Sequence, residues 1–363
     1  MNIALLITGL GMGGAERQVV DLADRFASLD HNILIIYLTG EAIVLPSNPS
    51  IRVIGMNMSK TPWSFLTTYR RIRSLIQSFK PDILHSHMVH ANIMARLLRL
   101  SIRIPRLICT AHSTNEGGTL RMWLYRVTDP LCDLSTNVSQ EAVDIFIAKK
   151  AAPKGGMIPI YNGIDTSRFH FNADVRTTLR KNAQVSDQEK ILLCVGRLNR
   201  QKDYPTMLHA FALALEKNKN LILWIAGDGE EKEPLLHLCQ KLNITNKVHF
   251  LGIRRDIPEL MSASDLFCLS SQFEGFGLVV AEAMACERPI VATDCGGVKE
   301  IVAKDGILVS PSSPKKLAKA ILASLQTPHN SARDRIVKMF SLDVIAQQWI
   351  NLYTTKKLSE KTT

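Results

Sequence analysis

Two glutamates with seven residues between them bracket a glycine-containing loop late in the chain. Glu274 opens the segment, Gly275 and Gly277 follow, and Glu282 closes it inside a helix predicted to begin near Leu278. Glycine lets the backbone approach a ligand closely, and the N–H groups at a helix start suit a phosphate. Glu282 could accept hydrogen bonds from ribose hydroxyls, whereas helix capping alone would explain only one of the two acids. The segment therefore predicts a site for a phosphorylated, hydroxyl-rich ligand.

Two cations follow an earlier predicted strand, at residues 191–195. Arg197 and Lys202 are five residues apart, just past the strand end. Arginine offers a planar fork of donors and lysine a point charge, so the two can converge on one anionic group such as a diphosphate. The alternative is that both are solvent-facing cations without a ligand.

A glycine-rich turn also lies near the start of the chain. Gly9, Gly11 and Gly14 match the pattern G-x-G-x-x-G between a predicted strand and a predicted helix. In nicotinamide or flavin enzymes an acid ends the second strand, but here the nearest acid, Glu41, lies past that end. We favour a loop whose N–H groups approach a diphosphate at a helix start. A tight turn without a ligand and an NAD-dependent enzyme are the alternatives.

The elements that must position these residues alternate between short apolar strands and helices. In the first half, strands are predicted at residues 3–7, 32–38, 83–85, 106–110 and 134–137, with helices at 15–28, 91–100 and 140–148. After a turn at 159–165 and a polar stretch, strands are predicted at 191–195, 221–226, 248–250, 266–269 and 289–292, with helices between them.

This rhythm predicts an α/β protein with two doubly wound, Rossmann-like parallel-sheet domains. We expect an N-terminal domain at residues 1–165, a C-terminal domain at 166–340, and a last helix at about 341–358 that packs back on the first domain. Ligands of such sheets bind at the carboxyl ends of the strands, so we expect the site in a cleft between the domains.

The chain is basic, with a net charge of +11 over 363 residues, and the charge is uneven. Residues 51–110 hold ten Lys and Arg against one acid, Asp82. We expect this segment to meet an anionic membrane surface, with solvated helix faces as the alternative and nucleic acid disfavoured because no binding motif is present. The residues expected to face lipid are Trp63, Phe65, Arg70, Arg71, Arg73, Arg96 and Arg99.

The start of the chain reads as a buried strand and lacks the basic region of a signal peptide, and no apolar run reaches the roughly 18 residues of a membrane span. The seven cysteines are scattered, without a C-x-x-C pair or a metal-ligand spacing. These features predict a cytoplasmic protein, peripherally associated with the inner face of the plasma membrane.

In order along the chain, these motifs resemble the GT-B-fold retaining glycosyltransferases of family 4 (group 1), of the bacterial O-antigen and capsular polysaccharide type. The segments that carry the resemblance are residues 13–16 (GGAE), residues 162–165 (NGID), Gly196-Arg197 with Lys202, residues 227–229 (GDG) and the E-x7-E segment from Glu274 to Glu282.

The resemblance implies a role for each matching residue. Arg197 and Lys202 would hold the donor diphosphate, Glu282 the ribose, and Glu274 the transferred sugar. His112, at the end of a predicted strand, would reach the sugar near its reacting carbon. The other residues implied at the donor are Gly14, Gly275, Phe276, Gly277 and Leu278, and those implied on the acceptor side are His85, His87 and Glu16.

The resemblance further implies a UDP-sugar donor and an acceptor saccharide linked to undecaprenyl diphosphate. The segment at residues 110–118 looks like that of O-antigen and capsule enzymes, and on this basis we favour N-acetylgalactosamine or another hexose or N-acetylhexosamine. The chain has no Asp-x-Asp, so we expect neither an essential metal nor a cofactor, and because no carboxylate nucleophile is marked we expect a same-face displacement. Two hypotheses compete with a transferase: a nucleotide-sugar epimerase of the same fold and a non-catalytic partner subunit.

Overall fold

The structure is a computed structural model that describes residues 1–114, 116–327 and 332–355. The chain forms two compact units, called unit 1 and unit 2 here. Unit 1 comprises Met1–Gly163 and Leu342–Thr363, and unit 2 comprises Ile164–Ser341. Among the helices of the described residues, none is long and apolar enough to cross a membrane.

Unit 1 is built on a seven-stranded parallel sheet in the order β3-β2-β1-β4-β5-β6-β7. Residues 3–7 and 33–36 are continuous apolar runs because helices cover both faces of the sheet, whereas the middle strand also buries the polar residues His85, Ser86 and His87. Its elements are β1 (Asn2–Ile7), α1 (Gly14–Ser28), β2 (Asn32–Tyr37), β3 (Arg52–Gly55), α2 (Pro62–Phe79), β4 (Ile83–His87), α3 (Val89–Leu98), β5 (Arg106–Ala111), α4 (Thr119–Thr128), β6 (Leu134–Asn137), α5 (Gln140–Ala148) and β7 (Met157–Pro159).

Unit 2 is built on a six-stranded parallel sheet in the order β10-β9-β8-β11-β12-β13. Its elements are α6 (Ala173–Asn182), β8 (Lys190–Val195), α7 (Tyr204–Lys217), β9 (Leu221–Ala226), α8 (Lys232–Lys241), β10 (Val248–Gly252), α9 (Ile257–Ala263), β11 (Leu266–Leu269), α10 (Leu278–Ala285), β12 (Ile290–Thr293), α11 (Val298–Val302), β13 (Ile307–Val309), α12 (Pro314–Gln326) and α13 (Arg333–Phe340).

The last helix, α14 (Leu342–Thr354), belongs to unit 1. Trp349 and Tyr353 are buried in the same apolar cluster as Phe26 of α1. Asp343 also pairs with Arg25 of α1 at 2.7 Å. Residues 356–358 of the expected helix lie outside the described residues.

The predicted α/β class with two parallel sheets is confirmed, and each predicted strand lies within two residues of an observed one. Three strands were not predicted: β3, β7 and β13, of which β7 falls largely ahead of the predicted turn. All three are short and lie at sheet edges, where a strand contacts one neighbour and needs no long apolar run.

Candidate functional site

The two predicted cations of unit 2 follow β8 directly. Gly196 has a φ of 155°, and a Cβ there would lie 2.9 Å from Cε of Lys202, so the lysine stem passes closely over the glycine. A Cβ at Gly227, after β9, would overlap the carbonyl oxygen of Gly196. The Arg197 side chain is exposed and makes no hydrogen bond or ion pair with the residues that the structure describes.

Lys202 and Glu274 meet, although 72 residues separate them in the chain. The Lys202 ammonium donates to Oε1 of Glu274 at 2.7 Å, and the hydroxyl of Ser271 donates to the same oxygen at 2.7 Å. Ser271 is fully buried, and Glu274 is only 7% exposed. Both donors engage one oxygen of the carboxylate, so the geometry fixes the orientation of the Glu274 side chain.

The loop after Glu274 packs tightly at its glycines. Gly277 caps α10 with a φ of 95°, and a Cβ there would lie 2.8 Å from Cγ2 of Val298. A Cβ at Gly296, after β12, would overlap the carbonyl oxygen of Glu274. The predicted start of α10 at Leu278 is confirmed. Its first N–H groups have no partner within the helix, which is the general basis of anion binding at such ends.

Glu282 and Phe276 complete this part of unit 2. Glu282 lies on α10, about one turn from its start, and is 9% exposed. Phe276 is buried, and its ring packs against Phe340 with centroids 5.8 Å apart. The structure thus brings Lys202 and Glu274 into contact, and the loop and α10 join Glu274 to Glu282.

In unit 1, Gly14 and Glu16 lie in the first turn of α1. A Cβ at Gly13, the residue before the helix, would overlap the Glu16 carboxylate, so that carboxylate folds back over the helix start. A negative charge in this position is favourable because the helix N-terminus carries partial positive charge. The space beside Cα of Gly14 is open, with no atom within 4 Å of an added Cβ.

Three predicted histidines lie together: His85 and His87 are on β4, and His112 directly follows β5, which pairs with β4 in parallel. Nδ1 of His87 lies 3.0 Å from Nε2 of His112, and the rings of His85 and His87 pack with centroids 4.0 Å apart. Burial lowers the pKa of His112 to about 4 and holds the pKa of His85 and of His87 well below 6.5. All three rings are therefore neutral at pH 7.

His85 lies in the interior of unit 1 and is fully buried. Its Nδ1 lies 2.7 Å from the Tyr353 hydroxyl, and its Nε2 lies 2.7 Å from Oγ1 of Thr110. Both ring nitrogens are thus used by the protein itself. In place of the acceptor contact expected from the sequence, we assign His85 a structural role.

The basic segment at residues 51–110 divides into exposed and internal side chains. Arg70, Arg71 and Arg73 on α2 are exposed. Arg96 is not, because its guanidinium is buried and bonded to residues that include Thr128 and Ser135. The expectation that Arg96 faces lipid is therefore wrong. Arg99 is also a poor lipid ligand, since it forms a two-point ion pair with Asp133.

Sequence reasoning missed an apolar face on α4. Leu120, Trp123 and Val127 are 67%, 56% and 46% exposed, and their spacing places them on one side of the helix. Arg121 and Arg126 flank them and are exposed as well. Trp63 on α2 is 70% exposed. The spacing of the three α4 residues was the available signal, but it also fits a buried helix face.

Glu116 and Ser271 were missed as well. The backbone N–H of His112 donates to Oε1 of Glu116 at 2.7 Å, and the Tyr125 hydroxyl donates to Oε2 at 2.5 Å. Burial raises the pKa of the Glu116 carboxyl. Nothing in the spacing of Glu116 or Ser271 distinguishes them from ordinary polar loop residues, because their partners are defined only in three dimensions.

The chain is similar to known glycosyltransferases in both halves. The family described as Glycosyltransferase Family 4 matches residues 12–168, and the family described as Glycosyl transferases group 1 matches residues 175–339. The N-acetyl-alpha-D-glucosaminyl L-malate synthase of Bacillus anthracis is 31% identical over 290 residues, which are 75% of this chain and 74% of that protein.

Two further proteins match over nearly the full length. A Campylobacter jejuni alpha-1,4-N-acetyl-D-galactosaminyltransferase, named for its undecaprenol-diphosphate-linked acceptor, is 27% identical over 98% of this chain and 99% of its own. The crystal structure of Anabaena HepE in complex with UDP-glucose has a TM-score of 0.83 at 23% identity, and covers 97% of this chain and 99% of HepE. The chain therefore belongs to the glycosyltransferases of family 4 (group 1), which are transferase enzymes, and its two parallel-sheet units form the GT-B fold.

Proposed function

We propose that the protein is a retaining glycosyltransferase that moves a sugar from a UDP-sugar to a saccharide linked to undecaprenyl diphosphate, in the biosynthesis of a bacterial surface polysaccharide. The observation that carries the donor part is the contact of Lys202 with Glu274. A cation suited to a diphosphate and a carboxylate suited to sugar hydroxyls meet at the strand ends of unit 2, and the exposed Arg197 follows β8 in the same loop as Lys202.

In this proposal, unit 2 holds the nucleoside diphosphate. Arg197 and Lys202 neutralise its phosphates, and the N–H groups of Gly275, Phe276, Gly277 and Leu278 donate to phosphate and sugar oxygens. Glu282 accepts hydrogen bonds from the ribose hydroxyls, and Glu274 from hydroxyls of the transferred sugar. In unit 1, Gly14 approaches the diphosphate and His112 approaches the sugar.

The reaction we propose is a same-face displacement. The acceptor oxygen forms a bond to the anomeric carbon on the face from which the diphosphate oxygen leaves, and the acceptor proton passes to that leaving phosphate. Arg197, Lys202 and the start of α10 stabilise the charge that develops on the diphosphate. Among the described residues, no group of three His, Cys, Asp or Glu side chains is placed to hold a metal ion.

The acceptor class rests on the similarity to the Campylobacter jejuni enzyme, and the UDP-sugar on that similarity together with the HepE complex. We favour N-acetylgalactosamine or another hexose or N-acetylhexosamine as the sugar. Asn115, within the segment that resembles O-antigen and capsule enzymes, lies outside the described residues. Glu16 and His87 remain proposed acceptor-side residues.

An acceptor whose diphosphate lies at a bilayer surface requires that unit 1 docks there. We propose that unit 1 associates with the cytoplasmic face of an anionic membrane through α2 and α4. Exposed tryptophans, Trp63 and Trp123, suit the interface, and Arg70, Arg71 and Arg73 suit anionic headgroups.

The test is a panel of nucleotide sugars incubated with the purified protein, first without an acceptor and then with undecaprenyl-diphosphate-linked saccharides. We expect slow hydrolysis of one UDP-sugar and, with acceptor, a product longer by one sugar that retains the anomeric configuration. An epimerised donor without an acceptor product would identify an epimerase instead. No turnover of any UDP-sugar would contradict the proposal.

A further inference from the structure

The loop that carries Lys202 and the loop that carries Glu274 follow β8 and β11, which are neighbours in the sheet of unit 2. Gln201 links the two loops at two points. Its backbone carbonyl accepts from the N–H of Gln272 at 2.9 Å, and its side-chain Nε2 donates to the backbone carbonyl of Phe273 at 2.9 Å. One residue of the first loop therefore binds two consecutive residues of the second.

This link lies directly before the contact between Lys202 and Glu274. Lys202 follows Gln201 in the chain, and Glu274 follows Phe273. Ser270 adds a further link, since its hydroxyl donates to the backbone carbonyl of Lys202 at 2.8 Å. Neighbouring Cα atoms are about 3.8 Å apart, so a shift of either loop by one residue would move Glu274 by more than the length of a hydrogen bond. The links thus set the alignment on which the ion pair depends.

The link through Gln201 and the ion pair differ in their response to an anion. A bound diphosphate competes with Glu274 for the Lys202 ammonium, because all three groups are charged. Gln201 instead joins a neutral amide to the neutral carbonyl of Phe273, and neither partner carries a charge that a diphosphate would attract. Gln201 can therefore keep the two loops aligned while Lys202 changes its partner.

We propose that Gln201 is a positioning residue that aligns Lys202 with Glu274, so that the cation and the carboxylate meet the same ligand. It acts through these two residues and not by contact with the ligand. This inference rests on the proposed function, because it takes the ligand to be a nucleotide sugar. The spacing of the sequence gave no sign of this role, since Phe273 is 72 residues away from Gln201.

Three variants test whether the donor of Gln201 matters rather than its shape. Gln201→Met has nearly the same length without a donor, and Gln201→Glu has the same shape with an acceptor in place of the NH2 group. Arg200→Met is the matched control, since Arg200 lies beside Gln201 and its side chain is 93% exposed. We expect both Gln201 variants to bind UDP about 5-fold or more weakly, as for loss of one hydrogen bond, and the control to stay within about 2-fold of wild type.

Binding of UDP in the Lys202→Ala background separates positioning from a general contribution to folding. If Gln201 acts through Lys202, adding Gln201→Met to Lys202→Ala should change the Kd for UDP by less than about 2-fold. Isothermal titration calorimetry measures both pairs of proteins. An equal loss in the two backgrounds, or a Gln201→Met variant that binds UDP as well as wild type, would overturn the inference.

Amide hydrogen exchange of the ligand-free protein gives a readout that needs no ligand. Residues 270–274 should exchange about 5-fold or more faster in Gln201→Met than in wild type or Arg200→Met, because one hydrogen bond that resists local opening is lost. The midpoint of urea unfolding should be the same in all three proteins. Unchanged exchange in Gln201→Met would also overturn the inference. The expected exchange in a protein whose wild type binds no UDP would instead count against the proposed function.

Discussion

The Lys202 ammonium lies 2.7 Å from a carboxylate oxygen of Glu274, and both side chains are largely withdrawn from water. In the ligand-free protein each charge is therefore neutralised by the other. In the proposed donor site, a bound diphosphate would have to attract Lys202 without leaving Glu274 unsatisfied, and Ser271 together with sugar hydroxyls would supply the hydrogen bonds that replace it. A buried charge deprived of its partner is costly, so we expect the pair to favour a complete nucleotide sugar over either half.

This relationship predicts the effect of removing the cations. Arg197→Ala and Lys202→Ala should each lower turnover by about 100-fold or more, comparable to losing one preorganised donor to a developing charge. Steady-state kinetics with the identified UDP-sugar measures this. The matched control is Arg200→Ala, since Arg200 lies in the same loop with its side chain 93% exposed. Near-normal turnover in either variant would show that the residue does not stabilise the leaving group.

Ser271 should matter through Glu274. Ser271→Ala removes a buried donor to the carboxylate, and a hydrogen bond to a charged group is worth about 1.5–3 kcal/mol, so kcat should fall roughly 10- to 100-fold. Because Lys202 and Ser271 donate to the same oxygen, the double variant should lose less than the product of the single losses. If the loss in the double variant equals the product of the single losses, then Lys202 and Ser271 act independently of each other and not through their shared contact with Glu274.

Charge stabilisation by side chains predicts activity without a divalent ion. The enzyme dialysed against excess chelator should retain most of its turnover with the UDP-sugar, although magnesium can change the rate by binding released UDP. The measurement compares initial rates before and after chelation and after adding magnesium or manganese. Complete loss of activity that a divalent ion restores would refute Arg197 and Lys202 as the main stabilising charges.

The neutral histidines predict that unit 1 loses stability in acid. The pKa of His112 is about 4 in the folded protein and about 6.5 when unfolded, so the unfolded chain binds more protons between these values. The stabilisation is complete above pH 6.5 and is lost as the pH falls towards 4, with a slope of up to about 1.4 kcal/mol per pH unit for each such histidine.

Urea unfolding between pH 4.5 and 7.5 checks this in His112→Gln and in His237→Gln, an exposed control in unit 2. The free energy of unfolding should depend less steeply on pH in His112→Gln than in wild type, and the control should match wild type. Equal slopes in all three proteins would contradict the assignment of a neutral, buried ring to His112.

The strands and the glycine loop were predictable from the sequence because each depends on residues that are close together in the chain. Strands buried on both faces are mostly apolar, which is why β1, β8 and β9 were predicted to within one residue. The E-x7-E segment was informative for a similar reason. Gly277 within the segment has a φ of 95°, a conformation that favours glycine, so this part of the motif follows from the local backbone.

What the sequence did not predict depends on contacts between distant residues. The count of basic residues at 51–110 did not distinguish Arg96 from Arg70. The sequence alone does not show which side of a helix is exposed until the elements that pack against it are known. Arg96 is buried by partners about 30 to 40 residues further along the chain, among them Thr128 and Ser135. Ser271 and Glu116 were missed for the same reason.

Without Arg96 and Arg99, the basic surface expected to bind the membrane is reduced to the exposed arginines of α2. Arg70, Arg71 and Arg73 are exposed on α2, so replacing all three with Glu should abolish binding of the protein to vesicles that contain anionic lipid. Wild type should bind neutral vesicles weakly and leave anionic vesicles in high salt, because exposed charges act over about one Debye length. Turnover on a short, water-soluble acceptor should be nearly unchanged in the triple variant.

Two comparisons separate this surface from general charge effects. The first is Lys315, Lys316 and Lys319 all replaced with Glu, which changes the net charge equally on an exposed face of α12 in unit 2 and should leave vesicle binding close to wild type. The second is Leu120→Ser with Trp123→Ser on α4, which removes exposed apolar area and should weaken binding at every salt concentration. Vesicle co-sedimentation measures all of them. If the α2 variant binds anionic vesicles as well as wild type, or if the α12 variant loses binding to the same extent, then α2 is only a solvated face and unit 1 does not dock through it.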